Sequence, residues 1–102
     1  MFGTVARMAV QPGMEREFLT IGEQWTQERG ASTGVVAEYV FQLEERSREY
    51  LMVGIFADRE VYYANAKDPE TDRWYQRMRA TLEADPEWND GEIVQSQLLS
   101  GI

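Results

Sequence analysis

The sequence contains no cysteine and no histidine. Without cysteine there is no disulfide, no thiolate nucleophile and no sulfur ligand for a metal, a composition that fits the reducing cytoplasm. Without histidine the chain lacks the usual general base near neutral pH, the usual zinc ligand and the usual proximal haem ligand. Carboxylates remain as ligands for hard cations, but Asp and Glu are scattered and no loop has EF-hand spacing, so no metal site is expected. Long apolar runs are missing too, and nothing approaches the roughly 20 residues needed to span a bilayer. The start, Met1 to Arg7, has neither the charged opening nor the apolar stretch of a secretory signal. The expected location is therefore cytoplasmic.

Positive charge is also scarce. Ten Lys and Arg stand against eighteen Asp and Glu, for a net charge of −8. Arg7, Arg16, Arg29, Arg46 and Arg48 are spread out rather than clustered. This balance repels phosphate backbones and anionic lipid, so neither nucleic acid nor a membrane is an expected partner.

What is present is apolar and aromatic: 43% hydrophobic residues, with three Trp, five Tyr and four Phe. That is ample for a core and too apolar for disorder. A chain of 102 residues reads as one domain. At that size folding removes only about 60–65% of the unfolded surface from water, so any extra apolar face is a candidate for burial by a partner.

Phe2 to Val10 alternates as a strand, with Thr4, Ala6, Met8 and Val10 on one face and Val5, Arg7 and Ala9 on the other. Gln11-Pro12-Gly13 ends it, and Pro12 suits the first turn of a helix. Met14, Phe18, Ile21 and Trp25 then fall on one helical stripe, predicting an amphipathic helix that ends near Arg29-Gly30 with Gly30 as C-cap. Val35 to Leu43 and Tyr50 to Phe56 flank a charged stretch, Glu44 to Glu49, and predict an antiparallel hairpin. Asp58 is placed to cap a helix over Arg59 to Ala66, and Asp68-Pro69 restarts it by the same logic. Trp74, Met78 and Leu82 recur every four residues before Asp85-Pro86. Asn89-Asp90-Gly91 reads as a turn into a last strand over Ile93 to Leu99.

The order is β-α-β-β-α-β, the α+β ferredoxin-like arrangement with a four-stranded antiparallel sheet and its helices on one face. Leu51, Val53 and Ile55 alternate with Tyr50, Met52 and Phe56, so the second hairpin strand is apolar on both faces. A sheet with one wet face should alternate with polar residues instead. A second copy is the simplest cover, which predicts a homodimer.

The stretch Met8-Ala9-Val10-Gln11-Pro12-Gly13-Met14-Glu15, the helix and hairpin after it, Asp58 opening a second helix, and Trp74-Tyr75 beyond the Asp68-Pro69 break together resemble the antibiotic-biosynthesis-monooxygenase (ABM) family of dimeric α/β barrels. The resemblance covers essentially the whole chain as a pattern, without a short diagnostic motif. It implies a homodimer with a cleft between helices and sheet, and a family that includes cofactor-free oxygenases, haem-degrading enzymes and members of no known activity. Matched to the haem-degrading branch, Ala6 stands where those enzymes have Asn, and Met78 stands where they have the haem-ligating His. The resemblance thus implies no haem degradation and no cofactor.

Trp74, Met78, Trp25, Tyr62 and Thr4 are the candidate substrate-binding residues, with Tyr75 beside them. Trp74, Met78 and Leu82 read equally as the core stripe of a helix, and Trp25 as the end of another. Adjacent Tyr62 and Tyr63 cannot both face inward, so one hydroxyl belongs at a cleft or at solvent. Arg7, charged in an apolar strand, must have an acidic partner, bind an anion, or lie at a sheet edge or dimer rim. Glu38 is read first as a solvated edge residue and second as a catalytic carboxylate. No residue identifies itself as catalytic. Two functions stay open: a cofactor-independent monooxygenase-like protein acting on a small apolar or aromatic molecule, and a non-catalytic small-molecule-binding or structural homodimer.

Overall fold

A computed structural model describes residues 1–99. Four strands, β1 (Phe2–Ala9), β2 (Val35–Gln42), β3 (Glu49–Phe56) and β4 (Glu87–Glu92), form one antiparallel sheet in the order β2-β3-β1-β4. Three helices accompany them, α1 (Glu15–Thr33), α2 (Arg59–Ala66) and α3 (Pro69–Arg79). This is the α+β ferredoxin-like architecture predicted from the order of elements, with the second helix divided in two.

The cross-strand register sorts the side chains onto two faces, because directly opposed residues point the same way. Phe2, Thr4, Ala6 and Met8 share a face with their β3 partners Phe56, Gly54, Met52 and Tyr50. This is the helix side. Its core is Ala6, Met8, Val10, Phe18, Tyr50 and Leu82, with Met14, Met52 and Met78 packed against it. The opposite face carries Val5, Tyr39, Phe41, Leu51, Val53 and Ile55. Val5, Tyr39 and Phe41 are 42%, 58% and 54% exposed, so the second apolar face expected from the sequence is present and uncovered in the single chain. Arg7 lies on that face beside Glu49, at 3.6 Å, an acidic partner for its charge.

Both α2 and α3 start as the sequence predicts. The Asp58 carboxylate accepts from the Val61 N–H at 2.8 Å, and Asp68 accepts from Glu70 N–H at 2.9 Å with Pro69 in the first turn. Three expectations are corrected. Helix α1 does not end at Gly30 but runs to Thr33, and Gly34 is the C-cap at φ 78°. Gly30 lies inside the helix, where a Cβ would make only ordinary van der Waals contacts with Thr26 and Val35. At Gly34 a Cβ would lie 2.3 Å from Val61 Cγ1, so neither the backbone angle nor the space allows a side chain. Pro12 lies in a turn before α1 rather than in its first helical turn; Gly13 at φ 84° completes that turn.

The third correction concerns the last strand. It is Glu87–Glu92, so Asn89-Asp90-Gly91 is not a turn, and Ile93 to Leu99 forms no strand. Backbone pairing to β1 holds it, aided by the Asn89 amide, which donates to the Val5 carbonyl at 3.0 Å. An edge strand has one free side and tolerates polar residues that an inner strand would reject.

Candidate functional site

The residue row Glu38–Gly54–Thr4–Asp90 crosses all four strands on the helix side, each member directly opposite the next. With three strand spacings between its ends, the row is about 14 Å long at the backbone. Gly54 contributes no side chain and Thr4 a small one, so the sheet is bare at the centre of the row. Above it, α3 packs chiefly on α1 and α2 rather than on the sheet and buries no residue of its own completely. The break at Asp68-Pro69 sets this geometry: Pro69 has no N–H with which to continue α2. Arg29 holds the break to α1 through Asp68 at 2.8 Å, and the Thr71 hydroxyl donates to Asn65 across it at 2.7 Å.

The result is a cavity of about 540 Å³ between sheet and helices. Ile21, Gly22 and Trp25 wall it from α1, Tyr62 and Tyr63 from α2, and Trp74, Tyr75 and Met78 from α3, with Trp88 on β4. Its size falls within the usual range of small-molecule sites. The structure brings Thr4, Trp25, Tyr62, Trp74 and Met78 together on this one cavity. The alternative reading of the α3 stripe as core holds in full for Leu82, which is buried at 1% and lies beyond the helix, and in part for Met78, which is half-buried against the core; Trp74 is half-buried outside it.

Tyr62 resolves the question of the paired tyrosines only in part, since both rings border the cavity. The Tyr62 ring packs against Phe2 and Phe56, with centroids 5.2 and 5.3 Å away. Its hydroxyl donates to Asp90 at 2.8 Å. Burial, then the Asp90 carboxylate, pushes the phenol well above its ordinary value; the nearby Thr4 hydroxyl tempers the rise without reaching hydrogen-bond geometry. Tyr62 is thus a neutral donor already committed to Asp90. Thr4 Oγ1 is buried with no partner among the described residues.

Glu38 occupies the other end of the row. Burial raises its carboxyl above the usual range, and a hydrogen bond from Thr26 partly offsets this. That bond is long, 3.4 Å, and the same Thr26 hydroxyl lies closer to the Gly22 carbonyl, at 3.1 Å. Glu38 is thus half-buried on the cavity wall rather than a fully solvated edge residue.

Sequence reasoning misses Gly54, Asp90 and Trp88. A glycine inside an otherwise apolar strand is a signal that could have found Gly54, since such positions mark close approach or open space. Asp90 and Trp88 are hidden by the misplacement of β4. Among the described residues no group of three or more carboxylates is arranged to hold a metal ion, and no helix is long and apolar enough to cross a membrane.

No family model matches this chain, and no curated protein matches it in sequence. Solved structures do. SnoaB from Streptomyces nogalater, described as a cofactor-independent oxygenase, superposes with a TM-score of 0.81 at 15% identity, over 93% of this chain and 94% of that one. A conserved protein from Methanosarcina mazei Go1 gives 0.79 at 18% identity, over 88% and 89%. An antibiotic biosynthesis monooxygenase gives 0.77 at 13% identity, over 93% and 100%. Across nearly its whole described length, the chain has the ferredoxin-like α+β fold found in antibiotic biosynthesis monooxygenases.

Proposed function

We propose that this protein is an ABM-type, cofactor-independent monooxygenase-like protein that binds a small apolar, aromatic molecule between its sheet and helices. The observation that carries the reading is the cavity: about 540 Å³, walled by Trp25, Tyr62, Trp74, Tyr75 and Met78 over a bare stretch of sheet. Flat aromatic walls and an adaptable Met suit a planar ligand. The fold shared with SnoaB supports the same reading.

The chemistry asks little of such a site. A substrate whose carbanion or enolate is stabilised by its own ring system can reduce oxygen itself, the methylene carbon taking one oxygen atom as a carbonyl while the other leaves as water. The protein then contributes orientation and a dry enclosure. A chain without histidine or cysteine can do both.

A second copy on the open sheet face belongs to this proposal. Val5, Tyr39 and Phe41 stand exposed there around half-buried Leu51, Val53 and Ile55, a contiguous apolar patch of the kind that marks an interface. A stable interface would bury more than about 1,200 Å² in total.

The test is a panel of polycyclic phenols, hydroquinones and quinones, screened first for thermal stabilisation and then for oxygen uptake without added cofactor. A ligand raises apparent stability by mass action, so a hit that also consumes oxygen supports the enzyme reading. Stabilisation without oxygen uptake across the panel favours the non-catalytic binding dimer. No stabilisation by any member overturns the ligand reading of the cavity.

A further inference from the structure

The cavity's charge is one-sided. Glu38, Asp72 and Asp90 border it, and among the described residues no Lys or Arg does. These three carboxylates are not equivalent. Asp90 is engaged by the Tyr62 hydroxyl at 2.8 Å, and Asp72 is exposed at the start of α3. Glu38 is half-buried, and no ion pair to it occurs among the described residues.

Its one side-chain donor among the described residues is the Thr26 hydroxyl, whose single proton is shared with the nearer Gly22 carbonyl. A hydroxyl has one proton to give, so Glu38 is left with acceptor capacity facing the cavity. A partly desolvated carboxylate with a single long, shared donor is under-satisfied, and its cost falls when a cation or strong donor arrives. Two positions along the same row, Thr4 Oγ1 is buried at 5% residue exposure and unpartnered. It lines the same cavity, and nothing among the described residues satisfies it.

Aromatic side chains make up much of the remaining wall, beside Ile21, Met52 and Met78. Trp25, Trp74, Tyr62 and Tyr75 present π-faces and edges, and such faces attract cations while offering nothing to anions. Carboxylate, unpartnered hydroxyl and aromatic walls converge on one ligand chemistry.

We propose that the molecule this cavity takes is an arylalkylamine bound as its ammonium ion, with the charged nitrogen at Glu38 and the ring system lying over Gly54 and Thr4 beneath Trp74. This rests on the reading of the cavity as a ligand site and adds the charge of the ligand to it. Glu38 supplies the charge-assisted hydrogen bond, Thr4 Oγ1 accepts or donates a second one, and the aromatic walls hold the ring. An anionic analogue meets three carboxylates and, among the described residues, no Lys or Arg on the cavity wall.

Isothermal titration of the intact protein with three matched probes tests this: 1-naphthylmethylammonium, 1-naphthalenemethanol and 1-naphthoate. The ammonium should bind about tenfold or more tightly than the alcohol, and the naphthoate more weakly than both. Glu38→Gln should remove most of the ammonium's advantage and leave the alcohol's affinity within about twofold. If the alcohol matches or exceeds the ammonium in the wild type, or if Glu38→Gln leaves the preference intact, the charge assignment is overturned while the cavity remains a binding site. If none of the three binds, this proposal falls together with the ligand reading. The wild-type comparison stands on its own should the variant fail to fold.

Discussion

The Tyr62 hydroxyl donates to the Asp90 carboxylate at 2.8 Å, and this one hydrogen bond ties α2 to the edge strand β4 across an end of the cavity. It also governs how the protein meets alkali. The folded state holds the Tyr62 proton more tightly than the unfolded chain, whose tyrosines titrate near the ordinary value of 10.0. A group with a raised folded pKa contributes stability that is complete below its unfolded value and is lost as pH climbs past it toward the folded one.

Wild-type protein should accordingly lose stability above about pH 10, with Tyr75, also raised by burial and then by Asp85, adding to the slope. Tyr62→Phe should cost about 1 kcal/mol at pH 7, the worth of the missing hydrogen bond, and should flatten the alkaline decline. Urea midpoints at pH 8 and pH 10.5 check this. Equal declines in both proteins would mean that Tyr62 ionises freely in the fold.

Gly54 tests whether the cavity is open because the sheet beneath it is bare. A Cβ at this position would lie 3.7 Å from Phe56 Cε1 and 3.9 Å from Thr4 Cγ2, ordinary van der Waals distances. Gly54→Ala should therefore hold or raise stability, by up to about 1 kcal/mol, because it restricts the unfolded chain. Gly54→Leu should fill the cavity and weaken 1-naphthalenemethanol binding about tenfold or more. Thermal melts and titration of the two variants separate the effects. Binding undiminished in Gly54→Leu would show that ligands do not use the space over the sheet.

Val53 lies at the centre of the open face, opposite Val5 on one side and Tyr39 on the other. Val53→Asp would place an unpaired charge in any interface built on that face, at a cost of several kcal/mol. Light scattering should give the wild type twice the chain mass of 11.8 kDa and the variant the single mass, with circular dichroism unchanged. A wild-type monomer at micromolar concentration would overturn the dimer.

How much of this was legible beforehand follows from which physical signals act locally. Asp58 and Asp68-Pro69 announce their helices because a cap is an interaction within three residues of sequence. The two faces of β3 are legible because alternation is local too. Strand β4 is not: Glu87 to Glu92 is held by β1, some eighty residues away, and its own side chains look like a turn. Gly34 is hard to tell from Gly30 because what distinguishes them, the left-handed backbone at Gly34 and the packed position of Val61, is set only in the folded chain. The cavity falls between these cases. Its aromatic walls can be named from helical spacing, but the bare row Glu38–Gly54–Thr4–Asp90 exists only once four strands are in register.

Trp74 decides between the two readings of the α3 stripe. It is half-buried rather than core, borders the cavity, and carries the Arg77 guanidinium on its ring at 4.4 Å from the centroid. Arg77 in turn donates to Gln24 on α1 at 3.2 Å, so a helix–helix bridge holds the guanidinium that stacks on the indole. Trp74→Ala should therefore cost about 1–2 kcal/mol, because the truncation removes part-buried apolar area and the cation–π interaction. That is well short of the cost expected from a fully buried aromatic. The fold should survive, and ligand-induced thermal stabilisation should disappear. Trp74→Phe keeps a π-face and should retain part of that stabilisation. If Trp74→Ala unfolds the protein, or if it binds aromatic probes as the wild type does, Trp74 is a packing residue and the ligand lies elsewhere.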